Sequence, residues 1–281
     1  MSRQLRQRLG FTLLSLTTLT VVLPILLLVG YIVVQGAPAI SGEFIVAMPR
    51  DGMRAGGLWP AIVGTVLLTL GTAIFAVPVG VAVAIYLAEY ARDNLFTRLI
   101  RLAIINLAGV PSVVYGLFGL GLFVIFLQFG ASILAGSLTL AIMTLPIIIS
   151  TAEEALSAVP RSFRIVSFSL GGTKWQTVRR VVLPQALPGI LTGVILGLER
   201  AAGETAPILF TVAAFFLPRL PHSIFDQTMA LPYHLFVIST QVPGMPVHIQ
   251  YGTALVLLIF VLSMNVLAAV MRSRFRAKRQ W

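Results

Sequence analysis

The 281-residue sequence contains no cysteine, which excludes disulfides, thiol chemistry and thiolate metal sites. Charge is nearly as scarce. Asp, Glu, Lys and Arg make up 10% of the residues, against about 25% in a soluble domain. The three histidines, His222, His234 and His248, share one connecting region and lack the tight spacing of a metal site. No G-x-x-x-x-G-K-[ST] loop is present. The nearest string, Gly171-Gly172-Thr173-Lys174, has the wrong spacing, so ATP has no P-loop to bind. No nucleophile or metal partner accompanies the few buried charges, which argues against an enzyme. What is abundant is apolar surface: 58% of residues, in runs too long for the core helices of a soluble protein. These features predict an all-α, polytopic membrane protein.

The net charge of +11 could indicate nucleic acid, but its distribution argues otherwise. Three Lys or Arg precede the first apolar run, three follow the second, five lie in the longest polar connection and five close the chain. The alternate connections hold two (Arg50 and Arg54) and one (Arg219). This is the positive-inside pattern of a protein with both termini in the cytoplasm. Six spans satisfy it: Phe11 to Val34, about Leu58 to Leu87, about Leu102 to Leu127, Ile133 to Ile149 with a break at Pro146, Leu187 to Leu217, and Tyr251 to Val270. The first run exceeds the 7–15 residues of a signal peptide and reads as an uncleaved span. The chain divides into residues 1–57, with the basic tail, first span and an outer loop, and residues 58–281, with the main membrane domain.

The fifth span carries Glu199, Arg200 and Glu204. Each charge at the bilayer centre costs roughly 2.5–3.5 kcal/mol on insertion scales, so three in one span need a reason. Arg200 and Glu204 are one helical turn apart and can pair. Gly193, Gly197 and Ala201 fall close to the same face, which lets another helix approach closely. Glu199 points to roughly the opposite side. Pro207 cannot donate a backbone hydrogen bond to Gly203, which predicts a kink beside Glu204. Two readings follow: an ion pair that fixes helix packing, or a site on a solute path.

The connection of about 153–186 predicts two short helices. Pro160 suits a helix start, Phe163, Ile165, Val166, Phe168 and Leu170 give an apolar face interleaved with Arg161 and Arg164, and Gly171-Gly172 accepts the left-handed cap. Thr173 followed by Gln176 is a capping box, which opens a second helix with Trp175 that stops before Pro184. Such helices suit docking of a cytoplasmic partner or simple residence at the lipid headgroups. Residues 218–249 hold five prolines around an amphipathic piece, Phe225 to Ile238, suited either to an outer contact or to an interfacial helix.

Gly171, nine residues and then Val181-Val182-Leu183-Pro184 resemble the loop signature of ABC importer permeases, EAA, three residues, G, nine residues, I-x-L-P. The triplet falls here at Ile165-Val166-Ser167, without its acidic residue. Three further strings, Gly109-Val110-Pro111-Ser112-Val113-Val114-Tyr115-Gly116-Leu117-Phe118, Ala84-Ile85-Tyr86-Leu87-Ala88-Glu89-Tyr90 and Arg200-Ala201-Ala202-Gly203-Glu204-Thr205-Ala206-Pro207, resemble the permeases of phosphate-specific importers, nearer the A-type than the C-type subunit. The resemblance runs from about residue 58 to the C-terminus.

It implies a type I importer fold in the inner membrane. A C-type sister permease would share the path, two copies of a cytoplasmic ATPase would bind ATP and Mg²⁺, and a periplasmic phosphate-binding protein would deliver inorganic phosphate. This chain itself would bind no cofactor. Phe163, Arg164, Ile165, Val166, Ser167, Phe168, Gly171, Leu183 and Pro184 would couple to the ATPase, and Arg200, Gly203, Glu204, Thr205 and Pro207 would line the path. Arg200 would face the anion with its planar donor fork, and Glu204 would orient Arg200 and weaken its grip. An importer for another oxyanion such as sulfate or molybdate is the alternative within the class. An ion-coupled secondary transporter is the alternative outside it, and neither an internal repeat nor the coupling loop fits that reading.

Overall fold

The computed structural model describes residues 3–277, so Lys278 and Arg279 of the basic C-terminus lie outside the described residues. Inside a bilayer every backbone N–H and C=O must be satisfied within the protein, and apolar runs of this length therefore become helices. α1 (Arg3–Gly36) passes uninterrupted through Pro24. A short connection follows, with α2 (Gly42–Val46) and a two-stranded hairpin, β1 (Pro49–Arg50) against β2 (Ala55–Gly56). α3 (Trp59–Ile85) ends in a π-helical turn, Tyr86–Tyr90.

The third apolar run is not one span. α4 (Leu95–Ala108) and α5 (Ser112–Gly119, extended by a π-helical segment Leu120–Phe126) meet at 102°. Gly109 closes α4 and Pro111 caps α5 without an N–H to donate, so the backbone ladder stops where a continuous helix was expected. The fourth run shows the reverse. α6 (Ile133–Ser157) continues unbroken through Pro146 and for two turns beyond Ile149. Pro146 leaves one carbonyl of the preceding turn without its usual partner, and neighbouring packing tolerates this: Pro146 is itself buried, as are most residues of α6.

α7 (Arg161–Ser169) is a separate helix, ended by Gly171 at φ +80° as the sequence predicts. The capping box at α8 (Lys174–Thr177) also forms, with Thr173 N–H donating to Gln176 at 2.9 Å and Gln176 N–H to Thr173 at 3.3 Å. That helix does not stop before Pro184. It runs through a π-helical turn, Val178–Val182, into α9 (Leu183–Gly203), where Pro184 occupies the first turn and needs no donor. The fifth span is therefore Lys174–Gly203, 30 residues or about 45 Å long, not Leu187 to Leu217. This exceeds a ~30 Å hydrocarbon core, and Lys174, Arg179 and Arg180 mark the end that extends beyond it.

Beyond α9 come α10 (Ala206–Thr211) and an irregular return over 212–230. The end of α10 and that return are anchored by the free N-terminal amides of α6. Ser132 N–H donates to Thr211 O, Ile133 N–H to Asp226 O and Leu134 N–H to Ile224 O, each at 2.9 Å. The Asp226 carboxylate accepts from the amides of His222 (2.8 Å) and Ser223 (3.2 Å), which hold it below the usual carboxylate range. α11 (Leu231–Thr240) follows; Phe225 to Ala230 are not part of it, and Leu231, Tyr233, His234, Val237 and Ile238 are buried, so it is no interfacial helix. α12 (Val247–Ala277) ends the described chain.

α3, α6 and α9 form the centre. Small residues on α9 face α6: Gly189 meets Ala155, Gly193 meets Thr151 and Gly197 meets Ile148. α1 and α12 pair at the edge, with Tyr31 edge-on to Tyr251 at 5.3 Å and almost none of either span buried. Among the described residues five helices are long and apolar enough to cross a membrane, or six if the bent α4–α5 pair counts as one span.

Candidate functional site

Two helix breaks come together. α9 ends at Gly203, Glu204 is extended (φ −76°, ψ 137°), and Pro207 in the first turn of α10 starts a new helix. The expected kink is thus a full break, because Pro207 costs nothing at a helix start and much inside one. α10 lies on α5, just past the other break. A methyl group at Gly116 would stand 3.0 Å from both the Ala206 carbonyl oxygen and Pro207 Cα, and one at Gly119 would strike Thr139 and Thr211. Tyr115, buried beside Ala201 and Ile208, donates to Leu107 O at 2.7 Å and so bridges the Gly109–Pro111 break. Two strings 80 residues and more apart in sequence therefore form one site.

Arg200 and Glu204 pair as the helical spacing predicts, with Nε to Oε1 at 3.3 Å. Glu204 is the more buried of the two, with its side chain 18% exposed against 38% for Arg200. Among the described residues the guanidinium makes this one hydrogen bond, so both Nη groups remain for another acceptor. The Gly193, Gly197 and Ala201 face packs on α6 within this chain, beside the pair rather than around it. Thr205 caps α10 next to Glu204. Toward the α7 end, a crevice of about 360 Å³ between α6 and α9 is lined by Thr151, Glu154 and Thr192. Glu199 does point elsewhere, toward α12, where Asn265 is its hydrogen-bonding neighbour and its Oε1 is buried without a partner.

The second predicted site splits by face. Ile165, Val166 and Phe168 of α7 are exposed, with Leu170 and Trp175 beyond them. Phe163 and Leu183 turn inward onto the core, while Pro184 is exposed. Ser167 Oγ lies 2.8 Å from Thr177 Oγ1 and ties α7 to α8. Phe163, Val166, Ser167, Gly171 and Arg180 line a groove of about 620 Å³. Arg164 is placed unlike its helical neighbours: it points into the protein and pairs with Glu89 in the π-helical turn. Sequence periodicity gave no signal for that pair, since its partners are 75 residues apart.

Residues 76–279 match the family described as "Binding-protein-dependent transport system inner membrane component". The chain belongs to this family. It is therefore a multi-pass inner-membrane permease of a binding-protein-dependent, ABC-type transport system. The permease is 32% identical to the Bacillus subtilis "Probable ABC transporter permease protein YqgI" over 95% of both chains. It is 38% identical to the Mycobacterium leprae "Phosphate transport system permease protein PstA", covering 80% of this chain and 73% of that one. Its fold is that of type I ABC importer permeases. A crystal structure of a bacterial alginate ABC transporter, in complex with its pentasaccharide-bound periplasmic protein, superposes with a TM-score of 0.69 over 96% of this chain and 95% of that one, at 13% identity.

Proposed function

We propose that this permease carries inorganic phosphate inward across the membrane as one of two transmembrane subunits of an ATP-driven importer. The observation that carries the reading is the half-exposed Arg200 at the α9–α10 break, held through Nε by Glu204 with its Nη groups open. Relatives named as phosphate transport permeases supply the solute. The guanidinium fork matches a tetrahedral oxyanion, and the carboxylate beside it lowers the net field so that the anion can also leave. Glu204 can further accept the P–OH proton of hydrogen phosphate, which sulfate lacks at neutral pH. Thr205 and the backbone freed at Gly203 and Glu204 line the same break.

In this reading α7 and the α8 turn face the cytoplasm and both termini lie on that side. The exposed Ile165, Val166 and Phe168 dock an ATPase subunit, two of which bind ATP and Mg²⁺, so the chain itself is non-catalytic and binds no cofactor. A C-type sister permease completes the path, and a periplasmic phosphate-binding protein delivers the solute. The triplet's missing acidic residue makes that docking face apolar rather than charged.

Uptake of labelled phosphate and sulfate into proteoliposomes holding the assembled importer tests the site. For Glu204→Gln we expect slower phosphate uptake and a smaller preference for phosphate over sulfate. Unchanged discrimination would remove Glu204 from selectivity and leave it with the binding protein.

A further inference from the structure

The α7 end of the bundle carries a charged cluster that the solute site does not use. Glu89, in the π-helical turn that ends α3, has its side chain 8% exposed. It accepts from Arg164 Nε at 3.2 and 3.3 Å and from Arg164 Nη2 at 2.5 Å. The same guanidinium donates through Nη1 to Val159 O at 2.7 Å and through Nη2 to Leu156 O at 3.0 Å, at the C-terminal end of α6. One side chain of α7 thus holds both α3 and α6. A forked, charge-assisted contact of this kind fixes direction as well as distance.

The π-helical turn is a meeting point for other cations as well. Leu87 O accepts from Arg101 of α4 at 3.1 Å, and Arg101 Nε reaches Glu153 of α6 at 2.9 Å. Lys174 Nζ stands 4.9 Å above the ring of Tyr90. At its far end α3 is equally well tied: Thr65 Oγ1 accepts the Leu231 amide at 2.8 Å, and Gly64 lies against Met229 in the segment that returns from α10. From Thr65 to Glu89 α3 and its π turn form one rod of about 36 Å.

We propose that Glu89 is the positioning residue through which α7 moves the membrane helices. A partner pressing on the apolar outer face of α7 displaces Arg164, the fork carries the displacement to the π-helical turn, and α3 delivers it to α11 and the return segment beyond the solute site. This rests on the importer reading above, but not on phosphate being the solute.

The test uses the importer assembled with its sister permease, ATPase and binding protein in proteoliposomes. We expect Glu89→Gln to keep the ATPase subunits bound and hydrolysing ATP near the wild-type rate. Phosphate uptake per ATP hydrolysed should fall by roughly tenfold. Glu89→Asp, which keeps the carboxylate opposite Arg164, should retain much of the coupling that Glu89→Gln loses. A role confined to folding would instead lower complex yield, uptake and hydrolysis together in Glu89→Gln, and that result would overturn the proposal. So would unchanged uptake per ATP in Glu89→Gln. A second readout is independent of the solute. With spin labels on Ser169→Cys and Val66→Cys, the interlabel distance should stay constant through the ATP cycle in the otherwise wild-type chain and change in Glu89→Gln. A constant distance in both would also defeat the proposal. A wild-type complex that shows the constant distance yet takes up no phosphate would count against the solute alone.

Discussion

His234 shows how far a single buried group can set a property of the permease. It lies on α11, outside the spans, 3% exposed, with Nδ1 lacking a hydrogen-bond partner. Burial pushes its pKa from the usual 6.5 down to about 4. The folded chain therefore keeps His234 neutral where the unfolded chain would protonate it. Stability from this group is fully present above about pH 6.5, and it is lost as pH falls toward 4, by up to about 1.4 kcal/mol per pH unit inside that window. We expect the thermal midpoint of the detergent-solubilised permease to fall between pH 6.5 and 4. His234→Leu should reduce that slope, measured as the difference between the two chains across the same pH series. The Arg200–Glu204 pair is the contrasting case at this scale: its spacing in the sequence anticipated the contact, because Arg200 lies in the last turn of α9 and Glu204 is the first residue beyond it.

At the scale of elements, glycine sets how closely helices approach. A methyl group added at Gly64 would overlap the Met229 carbonyl oxygen and the Thr228 hydroxyl, and backbone cannot give way as a side-chain tip can. Gly64→Ala should lower the unfolding free energy by about 1–3 kcal/mol through overpacking. Gly30→Ala, on α1 with nothing within 4 Å of the new methyl, should leave the thermal midpoint near that of the parent chain. Equal effects in the two would show that the α3–Met229 contact is not as tight as described. Proline was harder to read than glycine. Pro146 was expected to break α6 and does not, whereas Pro111 and Pro207 mark complete breaks. The local chemistry is the same in all three; what differs is whether packed neighbours compensate the lost hydrogen bond, as around the buried Pro146, or the chain can turn away.

For the whole molecule, the absence of cysteine offers a direct test of orientation. A single cysteine at Leu170, 84% exposed beyond α7, should react with a membrane-impermeant maleimide in inverted vesicles and not in intact cells. One at Ala55, in the hairpin at the opposite end, should do the reverse. Reaction of both from the same side would refute the six-span topology and with it the cytoplasmic placement of α7. The edge pair α1 and α12, almost wholly unburied within this chain, is the surface a second permease or lipid must cover.

By itself the sequence determined the class, a helical multi-pass membrane protein, and the local caps. Long apolar runs, scarce charge and an uneven basic pattern are properties of the chain that no folding detail alters, and the capping box at Thr173 and the cap at Gly171 depend on neighbours within four residues. Only the tertiary structure decided where the helices end and which face of α7 is free. It brought Gly116 onto α10, turned Arg164 inward to Glu89, and carried α9 without interruption from α8. Each of these depends on contacts between segments tens of residues apart, and no local periodicity encodes which distant backbone or carboxylate will be there.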